Sequence, residues 1–197
     1  MSNLFSSGGA GNVGASEGID QQSLKFNDDE SQYLSWTPAA AGNRKTWTWS
    51  GWVKRGNIDS VDAIFSGGAD ANNFTTIKFT STNELEYKRK IGGSNDAVKK
   101  TNAVFRDTSA WYHIVLVEDA ANTLAKIYVN GVEQSLATDD NPSNVDGFIN
   151  ATNTHKLGDA TNTSELFDGY LSDINFIDGQ ALDASSFGET VDGYWKA

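Results

Sequence analysis

Polar and apolar residues alternate along much of this chain. Over residues 84–91, Glu84, Glu86, Lys88 and Lys90 share one side of an extended backbone, and Leu85, Tyr87 and Ile91 share the other. That period of two marks a strand with one wet and one buried face. Ile114-Val115-Leu116-Val117 is apolar on both sides and predicts a strand central in its sheet. Similar runs recur at short intervals from Leu24 onward. They predict strands near 24–27, 31–36, 46–55, 62–66, 74–80, 84–91, 96–105, 111–118, 123–130, 132–136, 154–158 and 168–178. Turn-forming residues separate them, at Asn27-Asp28-Asp29, Gly67-Gly68, Gly92-Gly93, Asp119 to Asn122, Asn130-Gly131 and Asp178-Gly179. Asn130-Gly131 between apolar runs is the strongest hairpin signal, because a type I′ turn needs positive φ at both central residues. Pro38 and Pro142 fall in predicted loops, and only Asp183 to Gly188 predicts a short helix. The pattern as a whole predicts an all-β fold, a two-sheet antiparallel β-sandwich of jelly-roll type.

Residues 1–22 break the alternation. They are rich in Gly, Ser, Ala and Asn and read as a flexible arm, or as one that orders on a neighbouring subunit through Leu4 and Phe5. Residues 23–190 form the expected sandwich and 191–197 a C-terminal tail. No basic n-region or apolar h-region opens the chain, so no secretory signal is visible. No apolar run approaches the roughly 20 residues of a membrane span, and no membrane insertion is expected.

Composition fits a packed fold. Ten Phe, six Trp and six Tyr in 197 residues can fill a core between two sheets. A net charge of −11 repels phosphate backbones and makes nucleic acid a poor partner. With no cysteine, disulfides, thiolate catalysis and thiolate metal sites are excluded.

Catalytic patterns are sparse. A retaining glycosidase needs two carboxyl groups about 5–5.5 Å apart. Glu84 and Glu86 are the nearest match, but their face continues into Lys88 and Lys90 and reads as a solvated charge ladder. His113 and His155 are far apart in sequence and read as packed residues. The nucleophile elbow, P-loop, His-x-x-x-His and EF-hand patterns are missing. Oxygen-rich loops offer the one metal signal: Asp70, Asn72 and Asn73 in one, Asp159 and Asn162 in another, as candidate calcium ligands. Ordinary turn composition explains the same residues, as it does the runs Asp139-Asp140-Asn141 and Asp28-Asp29-Glu30. Most of Trp47, Trp49, Trp52, Trp111, Phe79 and Phe176 are expected in the core, with Trp36 and Trp195 better placed for exposure.

Three blocks carry a family resemblance. Trp47-Thr48-Trp49-Ser50-Gly51-Trp52-Val53-Lys54 resembles an early strand of the concanavalin A-like lectin/glucanase sandwiches, in their laminin-G-like branch. Trp111 to Val115 with Ile127-Tyr128-Val129-Asn130-Gly131 resembles a later strand pair of that family. Leu157-Gly158 with Phe167-Asp168-Gly169-Tyr170-Leu171-Ser172-Asp173-Ile174 resembles its closing segment. The resemblance covers about residues 24–188 and implies the fold. The family's glucanases carry Glu-x-Asp-x-Glu, which this chain lacks. Pentraxins, calcium-dependent members of the same fold, bind their ion with loops that match Asp70–Asn73 and Asp159–Asn162, though the loops here are shorter and the Glu-Gln-Asp run is not kept.

A narrower likeness lies in Leu24 to Asp29, Ala41 to Thr48 and Gly179 to Glu189, which resemble sandwich modules in virion proteins of marine tailed phages. Those modules are called tail-fibre or structural proteins, and longer members continue past the position of Trp195-Lys196. The resemblance implies a non-enzymatic virion protein on the particle surface, released by host lysis, that binds a host-surface glycan or receptor through rim loops. Its partners would be other virion proteins and copies of itself, as a trimer or an array. The alternatives are a capsid-decorating protein anchored by its N-terminal arm and, more remotely, a glycan hydrolase.

Overall fold

A computed structural model describes residues 22–197, so Leu4, Phe5 and nearly all of the expected arm lie outside the described residues. Fifteen strands follow along the described chain: β1 (Leu24–Phe26), β2 (Leu34–Trp36), β3 (Thr46–Arg55), β4 (Asp62–Asp70), β5 (Asn73–Phe79), β6 (Glu84–Ile91), β7 (Ser94–Val104), β8 (Tyr112–Asp119), β9 (Leu124–Val129), β10 (Val132–Glu133), β11 (Leu136–Asp140), β12 (Thr154–Leu157), β13 (Gly169–Asp178), β14 (Glu189–Val191) and β15 (Tyr194–Lys196). One antiparallel sheet has the order β1-β13-β3-β8-β9-β10, and the second has the order β11-β7-β6-β5-β4-β12-β2. They stack as the expected sandwich. The core between them takes Trp47, Trp49, Val53, Ile114, Leu116 and Ile127 from the first sheet, and Phe65, Ile77, Phe79, Leu85 and Tyr87 from the second.

The alternation holds where it was clearest. β3 and β6 have the predicted bounds, and β8 is central, between β3 and β9, with Ile114 to Val117 all buried. Gly67-Gly68 departs from expectation. It makes no turn but continues β4 to Asp70, paired with Thr75 and Phe74. Glycine is needed there for space: a Cβ on Gly67 would lie 2.8 Å from both His155 and Ile149, and one on Gly68 2.6 Å from Thr161 Oγ1. The predicted helix is a single 3₁₀ turn, Ala184–Ser186, whose N-terminus Asp183 caps through the Ser185 N–H. The expected tail, 191–197, forms most of a small hairpin of β14 and β15.

Three cations face inward. Arg55 pairs with Asp62 at 2.8 Å and donates to Asn83 Oδ1 and the Phe105 carbonyl. Arg89 pairs with Glu118 at 2.6 Å and Asp96 at 3.0 Å, while the Tyr87 hydroxyl donates to the other Glu118 oxygen at 2.5 Å. Lys99 bonds Asp139 and Asn141. Buried charges persist only when paired and hydrogen-bonded in this way. Arg89 sits on the buried face of β6, between Tyr87 and Ile91, where residue type alone reads as a break in the apolar pattern.

Candidate functional site

Strand parity sends two groups of aromatics in opposite directions. On β3, Trp47, Trp49 and Val53 point into the core, so Thr48, Ser50 and Trp52 point out. Register sets Trp52 opposite His113 of β8 on one side and Ser172 of β13 on the other. The Trp52 ring centroid is 5.1 Å from the His113 ring. Trp111, just before β8, lies 6.4 Å from Tyr170. Trp195 of β15 reaches over from the C-terminal hairpin and stacks on His113 at 5.7 Å. These half-buried indoles enclose a cleft of about 480 Å³ whose rim carries Gln22, Ser172, Asp173 and Lys196.

Two backbone devices shape the cleft. Between Ser172 and Asn175 the register of β13 against β3 shifts, and Asp173 takes φ 50°. This bulge turns Ile174 down onto Gly51, where a Cβ would lie 2.3 Å from Ile174 Cδ1, and leaves Asp173 exposed on the rim. The second device is the hairpin turn at Asn130 (φ 50°) and Gly131 (φ 78°), positive at both residues as predicted. Asn130 Oδ1 accepts from the His113 backbone N–H at 2.8 Å. The Trp195 ring lies so close over Gly131 that a Cβ would sit 2.2 Å from Cε3. The glycine therefore serves both the turn and the seat of the indole.

His113 packs beneath the Trp52 and Trp195 rings that line the cleft. It is buried, its Nδ1 has no hydrogen-bond partner, and burial pushes its pKa down to about 4 against the opposing pull of Asp173. It is a neutral ring held among aromatics. His155 is also pushed down by burial, and packs as expected: its Nε2 accepts from the Asn150 N–H and its ring stacks on Trp36 at 5.5 Å.

The calcium candidates lie in two loops. Asp70 accepts from the Asn72 N–H at 2.7 Å and from Asn73 Nδ2 through both oxygens. Asp159 pairs with Lys156 at 2.6 Å and accepts from the Ala160 and Glu165 N–H groups. Both carboxylates are engaged in their own loops, and Asn162 offers one buried amide oxygen without a partner. Among the described residues no group of three or more His, Asp or Glu side chains converges. This donor set does not fit the six to eight oxygens that calcium takes.

Glu84, Glu86 and Glu118 do not form an acid–base pair. Glu84 is held by the Thr80 and Thr82 hydroxyls, which lower its pKa to about 2. Glu86 lies in register between Lys78 and Lys100. Burial raises Glu118 to about 7, yet it is enclosed in the core with Tyr87 and Arg89.

Of the aromatics expected inside, Trp47, Trp49 and Phe79 are fully buried, Trp52 and Trp111 half-buried and Phe176 exposed. Trp36 is exposed as expected, whereas Trp195 is half-covered by its stack. The sequence holds one signal for the cleft: Trp52 breaks the odd-numbered parity of Trp47 and Trp49.

A family model described as the concanavalin A-like lectin/glucanases superfamily matches residues 28–186. A search of curated protein sequences gave no significant relative. Solved structures share the fold at low identity. A heptameric SAP-like pentraxin from Limulus polyphemus is 20% identical over 80% of this chain and 72% of its own, with a TM-score of 0.56. The CBM40 of Ruminococcus gnavus IT-sialidase is 10% identical over 79% of this chain and 96% of its own, at 0.59. NanB sialidase from Streptococcus pneumoniae is 17% identical over 83% of this chain at 0.62, and the match spans only 26% of that enzyme.

Proposed function

The chain belongs to the concanavalin A-like lectin/glucanases superfamily, and from that premise we propose that it is a non-enzymatic glycan-binding domain whose site is the indole cleft on the outer face of the six-stranded sheet. The observation that carries the reading is the convergence of Trp52, Trp111 and Trp195 around one polar-rimmed space. A pyranose ring has C–H faces that pack on indoles and hydroxyls that need partners at its edge. The rim supplies acceptors at Asp173 and Ser172 and donors at Gln22 and Lys196. The volume suits a short oligosaccharide. One fold relative, the CBM40 above, has been solved with α2,3-sialyllactose bound.

Binding without bond-breaking accords with the carboxylates. Of the described carboxylates that burial raises, Asp62 and Glu118 are sealed in the core against arginines and Asp168 is half-buried, while Glu84 is held ionised by hydroxyls and Glu86 lies between lysines. The resemblance of Leu24 to Asp29, Ala41 to Thr48 and Gly179 to Glu189 to modules of tailed-phage virion proteins supports display on a particle that meets host-surface glycans. Many copies would then raise a weak single-site affinity through effective concentration.

A glycan array probed with the clustered full-length protein tests the site, followed by calorimetry on the hits with Trp52→Ala and Trp111→Ala. Retention of a glycan class, lost in both variants, is the expected result. No retained glycan, or retention untouched by both substitutions, would refute it. Immunogold labelling of phage particles tests the display.

A further inference from the structure

Asp173 and Lys196 are the charged side chains that line the indole cleft, and they are not equivalent. Lys196 stands opposite Glu189 in the register of the C-terminal hairpin, so its charge is offset across the strand pair. Asp173 accepts from Ser172 Oγ at 2.9 Å and forms no ion pair with any described residue. Residues 1–21 contain no Lys, Arg or His, so no cationic side chain comes from outside the described residues either. The bulge in β13 holds the Asp173 backbone at φ 50°, a region where glycine is at ease and a Cβ is disfavoured. A carboxylate kept at such a position, on the rim of a cleft, points to a use for the side chain. Its charge is felt beneath the indoles. Burial lowers the His113 pKa and Asp173 opposes that shift, and His113 packs under Trp52 and Trp195. The cleft thus sets an unneutralised negative charge beside indole rings whose faces are electron-rich.

We propose that the cleft selects a glycan carrying a protonated amine, an amino sugar that is not acetylated, and that Asp173 sets this preference. Resting on the glycan-binding reading above, the preference narrows it to one class of sugar. A neutral pyranose gains indole packing and hydrogen bonds at the rim. An ammonium group adds two attractions that a neutral sugar lacks. One is a charge-assisted hydrogen bond to the Asp173 carboxylate. The other is the pull of the ring faces on a cation, which is strongest for tryptophan. Acetylation removes the charge and with it both attractions. A sialylated or uronate sugar brings its own carboxylate toward Asp173, and like charges set against each other are penalised. The net charge of −11 acts in the same direction, since an acidic chain gathers cationic ligands around it. Asp173 is therefore a specificity-determining residue, while Trp52, Trp111 and Trp195 supply the packing common to any sugar.

Calorimetry on the full-length protein with a β1,4-linked glucosamine tetrasaccharide, its fully N-acetylated counterpart and α2,3-sialyllactose tests the preference. The glucosamine oligomer should bind at least about tenfold more tightly than the other two at low salt, and the advantage should shrink as salt screens the charge. Asp173→Asn removes the charge and keeps a residue that tolerates the left-handed backbone. With an unchanged melting midpoint, that variant should bind the glucosamine oligomer no better than the acetylated one. Equal affinity of the parent for the charged and acetylated oligomers, or a preference that survives Asp173→Asn, overturns the proposal. Binding of the glucosamine oligomer that survives Trp52→Ala also overturns it, as general attraction to an acidic chain. A neutral or sialylated glycan that is held more tightly than the glucosamine oligomer, and lost in Trp52→Ala, overturns the amine preference and leaves the glycan cleft standing. Failure to hold any glycan removes both.

Discussion

The outer face of the seven-stranded sheet carries Lys78, Glu86 and Lys100 in one cross-strand row, with Lys88 and Lys90 along β6. The outer face of the six-stranded sheet carries Trp52, His113, Val115 and Tyr128, partly covered by the C-terminal segment through Ala184, Phe187 and Trp195. Both arise from the same period-two alternation. The first is a solvated ladder in which Glu86 lies between two lysines and long charged side chains keep their heads in water. The second is apolar, and its cover stops short of Trp52 and Trp111. Recognition on this fold is therefore read from where a covering element ends, and not from where charge is densest.

The comparison presumes that both faces ride on one rigid sandwich, and the largest expected effect comes from breaking it. Glu118→Ala leaves Arg89 buried without its closest carboxylate and should cost about 3–5 kcal/mol in urea unfolding. The next test separates the faces. Trp52→Ala should weaken glycan binding tenfold to a hundredfold, about 1.4–2.8 kcal/mol by calorimetry, with the fold intact by circular dichroism. Gly131→Ala strains a positive φ and collides with the Trp195 ring. It should lower stability by about 1–2 kcal/mol and raise the solvent exposure of Trp195 in fluorescence.

A pH series sharpens the aromatic side alone. Because burial holds His113 at about 4 in the folded chain, against about 6.5 unfolded, the unfolded state binds more protons between those values. Stability from this group is present above pH about 6.5 and is lost as pH falls toward about 4. His113→Gln should flatten that part of the melting-midpoint profile relative to the parent, while Glu118, shifted upward, slopes the opposite way in both. The smallest effect belongs to the ladder: Lys88→Ala should change stability by no more than about 0.5 kcal/mol and leave glycan affinity unchanged.

The sheets were legible in the sequence because burial on one face writes itself as alternation. β6 shows it plainly, and β8, buried on both faces, shows its counterpart as an unbroken apolar run. β4 was cut short at Gly67-Gly68 because glycine signals a turn and a close approach with the same letter, and only the packed His155 and Thr161 distinguish them. The burial of Arg55, Arg89 and Lys99 was not legible, since their partners Asp62, Glu118 and Asp139 are fixed by pairing between elements that no local pattern encodes. The cleft was the least legible part. Its indoles come from β3, from the approach to β8 and from β15, and its rim from a bulge in β13. Their meeting depends on sheet order and on one register shift at Asp173. The odd-to-even change at Trp52 was the sole local trace.

The most direct measurement of the central claim follows the six indole N–H signals by two-dimensional NMR during titration with a glycan retained on the array. Binding in the cleft predicts saturable shifts at Trp52, Trp111 and Trp195, with Trp47 and Trp49 unmoved. Shifts confined to Trp36, or to the lysine face of the seven-stranded sheet, would contradict it.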